Sequence, residues 1–359
     1  MSQIRRILFL GTGTSGALPN ITCLSKGISQ IKRSQDCVCK NYFIHKNHPD
    51  VRKNTSLLIM INDNGVEKNI LVDCGKTFRQ SALEYFPLHN ISRIDAVLLT
   101  HGHADAIMGL DDLREFTATN AIPIYCSKGT LKVVQQVFPY LVDTSKASGG
   151  GDVARLNFHQ VADEEVDLIA QNTTNALPCI NIFSLIIEFV PVHHGFNPDG
   201  TVLLCYGFKF NKVFAYLSDV VFIPQQAAHH LEHVNIMVLD ALKQSPHKSH
   251  SSIHESINAF NKLNVGFGLF VGFSHWLGHL QSIEICKTIN ATPVQLDNGQ
   301  LLIKNESFEV YSAVSYDELT DYNRDVIKYK IKNISNHSLT RNTNKHYAPA
   351  YDGLMIDFE

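Results

Sequence analysis

An apolar run of strand length, Ile94-Asp-Ala-Val-Leu-Leu99, breaks directly into Thr100-His-Gly-His-Ala-Asp105. A run this short and this apolar folds as a buried strand. The residues after it then sit where an irregular backbone can aim several short side chains at one point. His101, His103 and Asp105 would converge there, as two imidazoles and a carboxylate of the kind that Zn²⁺ or Mn²⁺ takes. Such an ion lowers the pKa of bound water towards neutrality. The stretch therefore predicts a metal-dependent hydrolase.

The same pattern recurs along the chain. Strand-like segments at 184–192, 213–217 and 268–271 run into His193-His194, Asp219 and His275, and a further strand over 235–239 ends at Asp240. The four ends at His101, His194, Asp219 and His275 point to one metal centre at one edge of a layered α/β structure. The remaining pattern agrees. Strands are expected over 5–10, 56–61, 69–73, 122–125 and 202–210, and helices over 77–85, 129–138 and 107–113. Ser252 followed by Glu255 reads as a capping box opening another helix. Residues 20–54 read as a long cysteine-bearing loop, and 316–345, rich in Asn, Asp, Tyr and Lys, as an insertion or surface excursion.

Composition excludes several classes. The 359 residues carry 31 basic and 34 acidic side chains, a net charge of -3, which does not suit a surface for extended nucleic acid. No uninterrupted apolar stretch reaches membrane-spanning length. The start, Met1 to Leu10, reads as a first strand in place of a secretory signal. Eight cysteines over this length do not make a disulfide scaffold, so a reducing, cytoplasmic setting is the default. Gly11-Thr-Gly-Thr-Ser15 lacks the spacing of a dinucleotide loop, and no nucleotide cofactor is expected. It reads as a tight turn, with Thr14 or Ser15 near substrate. Arg79 and Arg114 are candidates for phosphate contact or for plain surface roles, and Arg52, Lys53 and Asn54 for structural ones.

Several landmarks together resemble the metallo-β-lactamase fold superfamily, in the branch of the phosphonate-pathway cyclic phosphodiesterases and their eukaryotic relatives. They are Leu10-Gly-Thr-Gly-Thr-Ser-Gly16, Leu71-Val-Asp-Cys-Gly75, His101-Gly-His-Ala-Asp105 with Gly109-Leu-Asp-Asp-Leu-Arg114, Tyr216-Leu-Ser-Asp219, His275 and Tyr351-Asp-Gly-Leu354. The resemblance implies a single metallo-hydrolase domain over 1–359, built as a four-layer αββα sandwich. It implies two divalent ions, Zn²⁺ or Mn²⁺. His101, His103 and His194 would hold one, Asp105 and His275 the other, and Asp219 would bridge. Ala106 stands where a further histidine ligand often follows the aspartate, so the second ion would lose a ligand. Asp111 and Asp112 read first as helix-cap or structural groups, with compensation through water as the alternative.

The implied reaction is metal-assisted hydrolysis of a small cyclic or nucleotide-like phosphodiester. His250 would protonate the leaving oxygen, with His247 as runner-up. Cys23, Cys37 and Cys39 form a second cluster, read either as free thiols or as a structural zinc site with His279 as fourth ligand. Hydrolysis of a thioester or lactone, or a non-catalytic metal-binding scaffold, are the alternatives. A homodimer is left open.

Overall fold

The computed structural model describes residues 3–25, 37–43, 45–162, 176–288, 295–297, 300–305, 308–313, 328–331 and 346–358. Six strands come first: β1 (Gln3–Gly11), β2 (Ser56–Asp63), β3 (Val66–Val72), β4 (Ala96–Leu98), β5 (Ile122–Ser127) and β6 (Leu156–Ala162). Next, β7 (Cys179–Ile182), β8 (Leu185–Phe196), β9 (Val202–Phe210), β10 (Phe214–Leu217), β11 (Ile236–Asp240) and β12 (Phe267–Val271) build a second sheet. The strands β13 (Gln295–Asp297), β14 (Gln300–Asn305), β15 (Phe308–Ala313) and β16 (Lys328–Ile331) extend the first sheet. The strand β17 (His346–Pro349) joins the second beside β12, and β18 (Met355–Phe358) lies between β16 and β1.

Three apolar layers show how the sheets stack. In β1, Ile7 and Phe9 face the space between the sheets, while Leu8 and Leu10 face the outer layer of the first. β2 repeats this with Leu57, Ile59 and Ile61 inward and Leu58 and Met60 outward. In the second sheet, Phe214 and Tyr216 of β10 face inward, and Ala215 and Leu217 face the outer layer. Helices cover both outer faces. Phe78 and Val134, from helices Phe78–Tyr85 and Lys128–Val137, pack on the first sheet. Ala227 and Ile257, from helices Gln225–Leu231 and Ile253–Lys262, pack on the second. This is the αββα order expected from the sequence. Burial on both faces explains why these strands read as unbroken apolar runs.

Strand direction sets the site. β3, β4, β5 and β6 are parallel neighbours, as are β10, β11, β12 and β17. Parallel pairs need crossovers, so consecutive strands end at one edge and return over the outer faces. Asp73, Thr100-His101, Asp219, Asp240 and Gly272 lie at those ends.

Local signals mostly appear where they are read. Ser252 accepts from the Glu255 amide and Glu255 accepts from the Ser252 amide, closing the capping box. Residues 110–116 differ, winding as a 3₁₀ helix. β6 and the helix Gln225–Leu231 escape a reading by periodicity. β6 is an edge strand carrying Asn157, His159 and Gln160, which dilute its apolar pattern. Most of 316–345, and 26–36 of the cysteine-bearing loop, fall outside the described residues. Among the described residues no helix is long and apolar enough to cross a membrane.

Phe208 of β9 is fully buried between the sheets. Phe208→Ala is expected to cost about 3–5 kcal/mol, read as a lower urea midpoint.

Candidate metal centre

The centre begins with a buried carboxylate. Asp73, just past β3, accepts from the Thr100 amide at 2.8 Å and from the Thr100 hydroxyl at 2.8 Å. With its hydroxyl proton committed, Thr100 Oγ1 is an acceptor for His101 Nδ1, 2.9 Å away. That puts the proton on Nδ1 and leaves Nε2 as a bare lone pair. Nε2 is buried with no hydrogen-bond partner, 3.5 Å from Asp219 Oδ2. Burial pulls the His101 pKa down to about 3, so the ring is neutral, as a ligand must be.

His194 repeats the device. Its Nδ1 faces the Ser249 carbonyl at 2.8 Å and must donate, which leaves Nε2 bare, 3.3 Å from His103 Nδ1. A bulge in the β8–β9 pairing between His193 and Gly195 selects this residue over its neighbour. His193 instead packs on Phe222 across a short antiparallel bridge.

One ligand atom each from His101, His103 and His194 lies within 4.8 Å of the others, and the same holds for His194, Asp219 and His250. Asp105 belongs to neither group. It opens the short helix Ala104–Ile107, and its Oδ1 is buried without a partner. Clustered imidazole nitrogens with the Asp219 carboxylate are the donor set of a divalent cation.

His250 adjoins this group, its ring 5.0 Å from that of His194. Its Nδ1 lies 2.6 Å from Asp240 Oδ2 and 3.5 Å from Asp219 Oδ1. Burial would lower its pKa, but the charge and hydrogen bond of Asp240, with Asp219 and Asp105, hold it up at about 9. Burial in turn pushes the Asp240 carboxyl up to about 7, against the pull of His250. Asp240 is the residue that motif reading passes over, although it ends a strand as Asp219 does. Its second oxygen lies 2.2 Å from where a Cβ on Gly272 would stand, at φ +74°. Only glycine leaves room for that carboxylate. His247 stands further out, exposed, 5.5 Å ring to ring from His250.

The structure corrects two placements. His275 is not beside Asp105 and Asp219. Its Nδ1 lies 3.1 Å from Cys23 Sγ and 3.4 Å from Cys37 Sγ, and Cys39 completes a group within 4.8 Å. Three sulfurs and one imidazole match a tetrahedral zinc donor set. His279, expected there, is buried elsewhere. Its amide donates to Asp50 Oδ1 at 2.7 Å, its Nδ1 lies 3.5 Å from the Arg52 guanidinium, and its ring meets Tyr351. The Val38 amide bonds the His275 carbonyl, which brings that residue to the cysteines. The remaining candidates lie apart. Arg114 pairs with Asp111, Arg79 with Asp112, and Arg52 is a buried strut to Thr12 and the Ala350 carbonyl.

Comparison with known proteins places the chain. The model of the beta-lactamase superfamily domain matches residues 68–276, more than half of it, and the chain belongs to that superfamily. Among solved structures it is similar to a diphosphatase from the PhnP family, at 29% identity and a TM-score of 0.57, covering 78% of this chain and 90% of that one. Human tRNase Z, short form, shares the fold at 14% identity and a TM-score of 0.51, over 75% of this chain and 93% of that one. A curated relative is the octanoyltransferase of Porphyromonas gingivalis (strain ATCC BAA-308 / W83), 27% identical over 282 residues and 78% of this chain. The chain spans about half the length of that relative, 48%.

Elemental analysis separates the two clusters. His275→Ala is expected to lose one metal equivalent and His279→Ala none. Asp73→Asn is expected to weaken binding at the histidine centre by about 10–100-fold while leaving the cysteine cluster loaded.

Proposed function

We propose that this chain is a metal-dependent phosphodiesterase acting on a small cyclic or nucleotide-like phosphodiester. Two divalent ions, Zn²⁺ or Mn²⁺, would be held by His101, His103, His194, Asp105 and Asp219, and one structural zinc by Cys23, Cys37, Cys39 and His275. The observation that carries the reading is the meeting of two environments at Asp219. Bare imidazole nitrogens of His101 and His194 lie beside it, and next to His194 stands His250, an imidazole that Asp240 keeps charged.

Bound ions would supply Lewis acidity and an activated water for attack at phosphorus. The chain's own groups do the rest. Asp73 and Thr100 hold His101 with its lone pair turned inward. As the phosphorus–oxygen bond to the leaving group breaks, His250 gives that oxygen a proton. Asp240 positions the imidazole and stabilises its protonated form before the transfer. The likeness to a PhnP-family diphosphatase supports phosphoryl chemistry. The octanoyltransferase likeness favours a second reading, acyl ester or thioester hydrolysis by the same centre. Turnover of p-nitrophenyl octanoate in preference to bis(p-nitrophenyl) phosphate would select it.

With metal restored, hydrolysis of bis(p-nitrophenyl) phosphate is expected, and on a nucleoside 2′,3′-cyclic phosphate, whose alkoxide leaving group needs a proton, His250→Ala should lower kcat by about 10²–10⁴-fold with metal content unchanged. Absence of turnover by the metal-replete protein would sink the reading. The proton donor is the protonated imidazole, with its pKa raised to about 9. Activity should therefore persist at neutral pH and fall as pH rises through that value. Asp240→Asn removes the carboxylate that opposes burial, so the alkaline limb should move to lower pH.

A further inference from the structure

His250 has a neighbour that the proposed reaction does not use. Its Nδ1 is held by Asp240, so Nε2 is the nitrogen left to face a leaving oxygen. Asp219 lies 3.5 Å away, and the rings of His194 and His247 stand at 5.0 and 5.5 Å. Asp240 is buried, and Asp219 and His194 belong to the candidate metal cluster. Of these four groups only His247 is exposed. It forms the solvent side of His250, and a leaving group seated on His250 lies against it.

The loop that carries His247 is pinned. Leu242 N donates to Ser251 O at 2.9 Å and Ile253 N to Lys243 O at 3.0 Å, closing its base. Ser251 Oγ donates to Val220 O at 2.8 Å. In its middle, Ser249 serves two rings. Its carbonyl accepts from His194 Nδ1 at 2.8 Å, and its amide donates to His247 Nδ1 at 3.4 Å, joined by its hydroxyl at 3.3 Å. An imidazole nitrogen that accepts from an amide carries no proton. The His247 proton therefore lies on Nε2, at the other edge of the ring, where no protein acceptor among the described residues meets it. Partial burial, and after it the charges of His250 and Lys243, lower the His247 pKa, so the ring is neutral at neutral pH and keeps this tautomer.

A neutral N–H fixed beside the proton donor recognises an oxygen acceptor on the departing alcohol. An alcohol whose next carbon carries a hydroxyl presents that oxygen. A plain alkyl alcohol does not, and leaves the N–H without a partner once substrate has displaced water. Two oxygens on adjacent carbons are close enough to be bonded by donors on rings 5.5 Å apart. We propose that His247 is a specificity-determining residue whose Nε2–H binds a hydroxyl on the carbon next to the leaving oxygen, so that the preferred substrates are phosphodiesters of polyols. The inference rests on the phosphodiesterase reading and deepens it. His247 takes no part in the proton transfer, which belongs to His250, paired to Asp240.

The test compares two cyclic esters that differ by one hydroxyl, glycerol 1,2-cyclic phosphate and propane-1,2-diol cyclic phosphate. In both, water adds to phosphorus, the bond to the C2 oxygen breaks, and that oxygen takes its proton from His250. In the first alone the neighbouring C3 carries a hydroxyl. The wild-type protein should prefer the glycerol ester by about tenfold in kcat/KM. His247→Phe, which keeps a ring but no N–H, should slow the glycerol ester by about tenfold and the propanediol ester by less than about twofold. His247→Gln, which keeps a donor, should restore part of the preference. Equal effects on both esters, the result a proton donor would give, or no effect, overturn the proposal. Calorimetric titration of the metal-replete protein with the ring-opened products, glycerol 1-phosphate and propane-1,2-diol 1-phosphate, gives a readout without turnover. His247→Phe should weaken binding of the first by about tenfold and of the second by less than about twofold. Equal changes, none, or no binding by the wild type overturn the proposal. If the wild-type protein cleaves neither ester, the functional reading fails, and the titration still decides the role of His247.

Discussion

The corner at Asp73 is where fold and site become one object. Its backbone takes φ +58°, a left-handed conformation that costs a non-glycine residue about 1–3 kcal/mol. The carboxylate is fully buried, which pushes its pKa well up, and the two hydrogen bonds from Thr100 pull back against that. Those same bonds set the tautomer of His101. Immediately downstream, Cys74 N bonds the Ala106 carbonyl and Gly109 N bonds the Cys74 carbonyl, both at 2.7 Å. One turn of chain therefore places the helix that carries Asp105 and orients the ring of His101.

The centre is left electrostatically unfinished by protein atoms alone. His101 Nε2, Asp105 Oδ1 and Asp240 Oδ1 are buried and lack hydrogen-bond partners. Each such group costs about 1–3 kcal/mol. Cations bound at the first two would offset that cost and would link metal binding to the stability of this edge. Asp240 is different in kind, because its other oxygen already holds His250. Under the proposed function four carboxylates would take three tasks: Asp73 would orient a ligand, Asp105 and Asp219 would bind cations, and Asp240 would position the proton donor.

The cysteine cluster acts at a distance from this chemistry but on the same frame. Cys23 and the Val38–Phe43 turn reach His275, three residues past the Gly272 that abuts Asp240. Asp50 ties the same region together by accepting from Asn41 and from the His279 amide, both at 2.7 Å. A long loop with few apolar residues thereby gains a fixed path, and the segment following β12 gains a fixed height above the sheet.

Much of this was legible in the sequence. Unbroken apolar runs ending in His or Asp marked buried strands with a polar edge, because sheets covered on both faces expose side-chain chemistry chiefly at their ends. The motifs then named the superfamily and most of the histidine centre. Three things were decided only by tertiary structure. Strand periodicity cannot choose between His193 and His194, since a bulge, set by pairing with β9, re-aims one of them. Sequence order cannot tell His275 from His279, four residues apart, because the cysteines that claim one and the Arg52–Asp50 network that claims the other come from the far N-terminal part of the chain. Nor does Asp240 declare itself, because its role arises from His250 folding back onto β11 and from the missing side chain at Gly272. Burial patterns are local and can be read along a chain. The choice of partner for a polar group depends on which distant segments arrive beside it, and that is settled by packing.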